Sequence, residues 1–346
     1  MSKERVIWID VMRGLAIIAV VVCHQQSILH ESEVIQGSTL FSISAFVFLM
    51  GMTRGISLER FVVSGKGTYA KYVIKSLIPT MMAYAFATYI MVRANGGGNE
   101  DVLAGLVKFS ASPPLYYIAH VVRFSIFAPF LYSIFKWLLE INSSAWRRVS
   151  VCLFFLMLWI IGYISVERFD ILGQSYLFVY ALGLFMALVG MPKLSWKLVV
   201  FDVLLGTLGI YSVICFYSAR VAGYMEYAGF IDAIDSKLQM NPPNISVILY
   251  SAAVVLTVYI LVTLAIRNGC EPIALKTLCF LGRHSLDIFL WHYFIRDMYL
   301  KKIGWAPQNV LLRGACLYTL MFGIPILGRI SYEVVIKNKL ESLREG

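Results

Sequence analysis

The sequence predicts an all-α, polytopic integral membrane protein of about ten transmembrane helices with both termini in the cytoplasm. Three observations predict it. Hydrophobic residues make up 59% of the chain and charged residues only 14%, against roughly 45–50% and 25% in soluble proteins. Apolar runs of span length, about 20 residues each, recur from end to end. Lys and Arg then concentrate in alternate short loops, the bias that sets membrane orientation.

The apolar runs place spans at 6 to 28, 38 to 53, 76 to 92, 113 to 136, 149 to 165, 174 to 190, 198 to 218, 245 to 266, 277 to 295 and 309 to 332. The first is not followed by a small-residue cleavage site and carries charges, so it is read as a retained helix and not as a signal peptide. The loops on the N-terminal side, including both tails, hold 16 Lys and Arg; the opposite loops hold 8, together with ten acids. Both termini are therefore expected in the cytoplasm. No separate soluble domain fits in the remainder, and residues 1–346 read as a single membrane domain. Two opposite loops are long: ANGGGNED, a flexible link at 94 to 101, and residues 219 to 244, where Tyr224, Tyr227 and Phe230 at helical spacing suggest a short helix lying on the outer face.

A net charge of +10 raises the question of nucleic acid. No Lys/Arg stripe is interleaved with aromatics on a polar segment, and topology explains the basic residues better. The six cysteines fall in or beside apolar runs with no CxxC and no zinc spacing, so they read as small buried hydrophobes and no metal site is expected.

Six basic residues fall inside predicted spans: Arg13, Arg123, Lys136, Arg283, Arg313 and Arg329. Lys136, Arg313 and Arg329 are near span ends and can snorkel. Arg13, Arg123 and Arg283 are deeper, where a charge costs several kcal/mol unless it faces a polar cavity. The first span also carries Asp10 and His24. His24 follows Arg13 by 11 residues, which at about 100° each is roughly three turns, so the two share one face about 16 Å apart along the axis. Asp10 is one turn before Arg13 and can neutralise it. An ion pair that fixes packing plus a satisfied histidine is the plain alternative; three ionisable groups on one span weigh toward function.

These residues carry a resemblance. RVIWIDVMRGLAIIAVVVCH resembles the opening of the acyltransferase 3 family, integral membrane acyltransferases that modify sugar hydroxyls of bacterial surface glycans, whose first span has an Arg, ten residues and a His. LFSISAFVFLMG (40 to 51), PPLYYIAHVVRFSIFAPFL (113 to 131), YLFVYALGLFM (176 to 186) and FLGRHSLDIFLWH (280 to 292) are similar to later segments of the family, the last to its "G-R-x-S" to His signature. Where the family often has two Arg before a Pro at its third span, this chain has Lys71 and Lys75 before Pro79. The extra hydrolase-like domain of some longer relatives is not seen after the tenth span.

The resemblance implies transfer of an acyl group, most simply acetyl, from cytoplasmic acyl-CoA to a sugar hydroxyl of a polysaccharide, lipopolysaccharide or lipid-linked glycan, in the bacterial cytoplasmic (inner) membrane. His24 is the natural general base, because histidine titrates near neutral pH, with Arg13 and Asp10 completing the catalytic group. Lys71, Lys75, Arg283 and Ser285 are candidates for the acyl donor, although Lys71 and Lys75 read equally well as positive-inside anchors. Tyr116, Tyr117, Arg123 and His292 are candidates for the acceptor; tyrosine also gathers at any membrane interface, and a packing histidine is an even alternative for His292, which is expected at a depth similar to His24. His120, His284 and His30 lack such support. No permanently bound cofactor is expected, acetyl-CoA being a co-substrate; the bilayer is a partner, nucleic acid is not, and a homo-oligomer stays open. The competing function is a transporter or exporter of a glycan or small anion using the same buried charges. A non-catalytic scaffold leaves those charges unexplained.

Overall fold

A computed structural model of the chain describes residues 7–24, 33–65, 67–168, 173–221, 243, 245–270, 272–303 and 309–345. His30 and the aromatic trio Tyr224, Tyr227 and Phe230 lie outside the described residues. Among the described residues every regular element is helical. In chain order the helices are α1 (Ile7–Cys23), α2 (Glu33–Thr39), α3 (Phe41–Ser64), α4 (Tyr69–Ala94), α5 (Asn99–Lys108), α6 (Tyr116–Leu139), α7 (Ser144–Arg168), α8 (Leu177–Val189), α9 (Trp196–Val221), α10 (Ile245–Arg267), α11 (Ile273–Arg283), α12 (Ser285–Met298) and α13 (Val310–Glu345). Among the described residues six stretches, in α3, α4, α6, α7, α10 and α13, are long and apolar enough to cross a bilayer, against the ten spans expected from the sequence. Their outward faces carry large apolar side chains such as Met82, Phe130 and Trp137, each about two-thirds exposed, as a lipid solvent permits.

The structure departs from the sequence reading at three places. The segment expected as one span at 277 to 295 is two helices that meet at His284, whose φ of −98° and ψ of 8° interrupt the helix. The helix expected to stop at residue 53 continues to Ser64. The ANGGGNED link is ordered: Gly96 turns the chain at φ +83°, the Asp101 carboxylate accepts the Gly98 N–H at 2.8 Å, and α5 begins. A carboxylate one turn into a helix satisfies an N–H that would otherwise lack a partner. The phenol of Tyr84, buried on α4, donates to the Gly105 carbonyl at 2.9 Å and anchors α5. Cysteine is corrected too: Cys279 is buried, but Cys152 and Cys270 are exposed. In a membrane protein an apolar residue has two acceptable surroundings, so apolar flanks do not imply burial.

The chain divides into two compact units. One comprises residues 1–39, 84–116 and 272–346, the other residues 40–83 and 117–271. In the first, α1 packs on α11 and α12, and α12 packs on α13. In the second, α3 packs on α8 and α10, and α9 packs on α10.

Both units contain backbone-to-backbone crossings made by glycine. In the first unit, a Cβ on Gly14 would strike the Leu278 carbonyl, and a Cβ on Gly282 would strike the Asp10 carbonyl. In the second, a Cβ on Gly51 would strike the Tyr180 carbonyl and one on Gly183 the Phe48 carbonyl. Where lipid competes equally for apolar side chains, close backbone approach is what holds helices together. Gly183→Ala and Gly282→Ala are each expected to lower stability in detergent by about 1–3 kcal/mol, measured as the midpoint of thermal unfolding. Gly323→Ala, whose Cβ meets open space, should leave the midpoint in place; three equal midpoints would refute this account of the crossings.

Candidate active site

The first unit gathers Asp10, Arg13, His24, Tyr116, Arg283, Ser285 and His292. The α1–α11 crossing sets Gly282 against the turn of α1 that starts at Asp10, and the next residue, Arg283, reaches that carboxylate with Nε at 3.6 Å from Oδ2. Asp10 is buried and the Arg283 side chain is half exposed. The sequence pairs Asp10 with Arg13 along the helix; the structure adds a cation from α11 across the crossing. Arg13 is half-buried on α1, three residues past Asp10, and Ser285 opens α12 just past the break.

From that end α1 and α12 run in the same direction. His24 sits one residue past α1, its N–H still bonded to the Val20 carbonyl at 3.2 Å, so it keeps its helical position relative to Arg13. Its ring lies 5.3 Å from that of His292 and 5.5 Å from that of Tyr293, the latter edge-on. The two histidines expected at similar depth thus stand side by side.

His292 is fully buried. Its Nδ1 is 3.1 Å from the Ile288 carbonyl and 2.8 Å from the Phe289 carbonyl. Carbonyls only accept, so Nδ1 carries the hydrogen, and in the neutral ring Nε2 is left as a bare lone pair. That Nε2 is buried and has no hydrogen-bond partner among the described residues.

Arg296, absent from the sequence candidates, organises this end. Nη1 donates to the His24 carbonyl at 2.8 Å, satisfying an acceptor at the end of α1 that the helix itself cannot. The guanidinium lies 3.6 Å from the centre of the Tyr293 ring. Nε and Nη2 both donate to Asp297 Oδ1, at 3.0 and 2.7 Å, while Lys301 donates to Oδ2 at 2.9 Å. The signal was present: Arg296 is four residues beyond His292, hence on the same helical face, but the predicted span stopped at residue 295.

The second unit holds Lys71, Lys75, Tyr117 and Arg123. Lys71 and Lys75 are exposed on the first turns of α4. Tyr117 is buried with its ring edge toward Phe46, and Arg123 is half-buried on α6. Arg54, which the sequence assigns to a loop, is inside α3 and donates to Ser125 Oγ at 2.8 Å. Lys136, expected to snorkel, is fixed by Glu59 at 2.9 Å, and Glu59 also accepts from the Tyr132 hydroxyl at 2.5 Å. His120 packs against Phe124 and Tyr176. Among the described residues no group of His, Cys, Asp and Glu side chains comes together in a way that could hold a metal ion.

The family model for the acyltransferase domain, Acyl_transf_3, matches residues 6–329, nearly the whole chain. The chain belongs to the acyltransferase 3 family. No curated protein and no solved structure matches it. As a member, this acyltransferase 3 protein is a multi-pass membrane acyltransferase, and the matched region contains both glycine crossings and the His24–His292 pair.

Arg296→Ala should cost the acyltransferase about 2 kcal/mol, the scale of a hydrogen bond to a charged group. Hydrogen exchange should rise at the last turn of α1 and stay unchanged at the Asp10 turn. Uniform exchange along α1 would show that Arg296 does not hold this end.

Proposed function

We propose that the chain is an O-acetyltransferase of a bacterial cytoplasmic membrane, with both termini in the cytoplasm, moving acetyl from acetyl-CoA to a sugar hydroxyl of a surface or lipid-linked glycan. The observation that carries this reading is the pair of imidazoles at one end of α1, 5.3 Å apart, within a chain of the acyltransferase 3 family. His24 takes the proton of the sugar hydroxyl as its oxygen attacks the thioester carbonyl. The C–O bond forms, the C–S bond breaks, and the coenzyme thiolate leaves with the proton that His24 has held. The lone pair of His292 Nε2 accepts a hydrogen bond from His24 as His24 becomes cationic, steadying the charge that develops in the transition state.

Arg283 and Asp10, with Arg13 one turn along α1, form the cationic post at the other end of that helix, and they suit the phosphates or carbonyl of the donor. Lys71 and Lys75, exposed at i and i+4, suit the donor polyphosphate. A transporter keeps no need for a bare, buried imidazole nitrogen, which favours the enzyme.

Purified protein incubated with labelled acetyl-CoA and a glycan acceptor is expected to transfer label, and His24→Ala to lower kcat by about 10² to 10⁴ while the protein stays inserted. Normal turnover by an inserted His24→Ala protein removes His24 as the base; absence of any transfer by wild type returns the transporter reading. For His292, Asn keeps a donor at the Nδ1 position and Gln an acceptor at the Nε2 position. Turnover should be higher in His292→Gln than in His292→Asn even where Asn is the more stable protein, an order that a packing role does not produce.

A further inference from the structure

Beside the histidine pair, in the same unit, is a cavity of about 320 Å³ that none of the sequence candidates line. Its polar lining is Asn95, Ser112, Tyr293, Asp297 and Lys301, and Phe294 and Met298 contribute apolar surface. Tyr293 is the shared wall: it faces this cavity and its ring is edge-on to His24 at 5.5 Å.

The chemistry of the lining defines the occupant. Asp297 is held from outside the cavity by Arg296 on Oδ1 and within it by Lys301 on Oδ2, so its charge is balanced. Oδ1 already accepts twice from Arg296, and Oδ2, which accepts once from Lys301, keeps a further lone pair for a ligand. Asn95 offers both a donor and an acceptor, and buried Ser112 a hydroxyl. The cavity therefore presents many hydrogen-bonding groups with no excess of either charge, interleaved with apolar patches. That combination fits a ring bearing several hydroxyls and C–H faces, and it does not fit a polyphosphate, which needs surplus cation. The volume is near the lower limit for ligand pockets, about 300 Å³, which has room for one ring at a time.

We infer that this cavity binds a single neutral sugar ring, with Asp297 and Asn95 reading its hydroxyls and Tyr293 forming the partition between that ring and His24. The inference rests on the proposed function only in making this ring the acceptor. It moves acceptor recognition from Tyr116, Tyr117 and Arg123 to the ends of α4 and α12.

The test is saturation-transfer NMR on the full-length protein in detergent with the methyl glycosides of glucose, galactose, mannose and N-acetylglucosamine, and with glucuronate as an anionic comparison. At least one neutral glycoside should receive signal, at least tenfold weakened in Ala111→Trp, which fills the cavity from a lining position. Asn95→Ala, an exposed site, should weaken it severalfold without affecting folding, and covers the case in which the tryptophan variant does not fold. Binding of no neutral glycoside, binding of glucuronate alone, or unchanged binding in a folded variant overturns the inference. The two readings separate in the acetyl-transfer assay run alongside. Transfer that persists at the wild-type acceptor KM in both variants leaves the enzyme and removes the subsite. Glycoside binding that is lost in the variants, with no transfer by wild type, leaves the subsite and removes the enzyme.

Discussion

The arrangement of the first unit depends on two peptide backbones being allowed to touch. Where α1 crosses α11, Gly14 and Gly282 leave no Cβ between the helices, and everything useful is referenced to that point. One residue past Gly282, Arg283 is carried to the Asp10 carboxylate; ten residues past it, His292 arrives at His24. In a bilayer such a contact is needed because lipid tails offer apolar side chains as good an environment as another helix does. Side-chain packing alone would leave the helices free to slide. A carbonyl set against a missing Cβ does not.

The second unit repeats the device with Gly51 and Gly183 and uses it to different effect. Its charges are tied to one another and to hydroxyls: Lys136 and Tyr132 to Glu59, Arg54 to Ser125. These ions each have a partner, as the expense of a lone charge in lipid requires. At the histidine pair the opposite holds, and a buried nitrogen is left without a hydrogen-bond partner among the described residues.

Much of this was legible in the sequence, and the failures have separate physical causes. The apolar runs located the helices, and the spacing from Arg13 to His24 placed a cationic post and a histidine at opposite ends of one face. Arg54 and Arg296 were missed because each was read as the charge that closes a span: one follows the predicted end at 53, the other the predicted end at 295. Both helices run on, and both arginines turn inward to a serine hydroxyl and a helix-end carbonyl. The glycines were visible within the quoted motifs, but a glycine in sequence does not say which carbonyl it admits. The His284 break and the ordered turn at Gly96 rest on single dihedral angles, which hydropathy does not report. Burial was least legible, as Cys152 and Tyr117 show from opposite sides: one exposed, one buried, both in apolar runs.

Arg296 divides its donors between two masters. One goes to the backbone oxygen of His24, two to the carboxylate that borders the cavity, and its flat cation covers the ring that separates them. A ligand that pulls on Asp297 therefore acts on the end of α1 through a single rigid plane. Linkage makes any such effect mutual: whatever free energy a ligand on Asp297 contributes to the order of the α1 terminus, that order returns to the binding of the ligand.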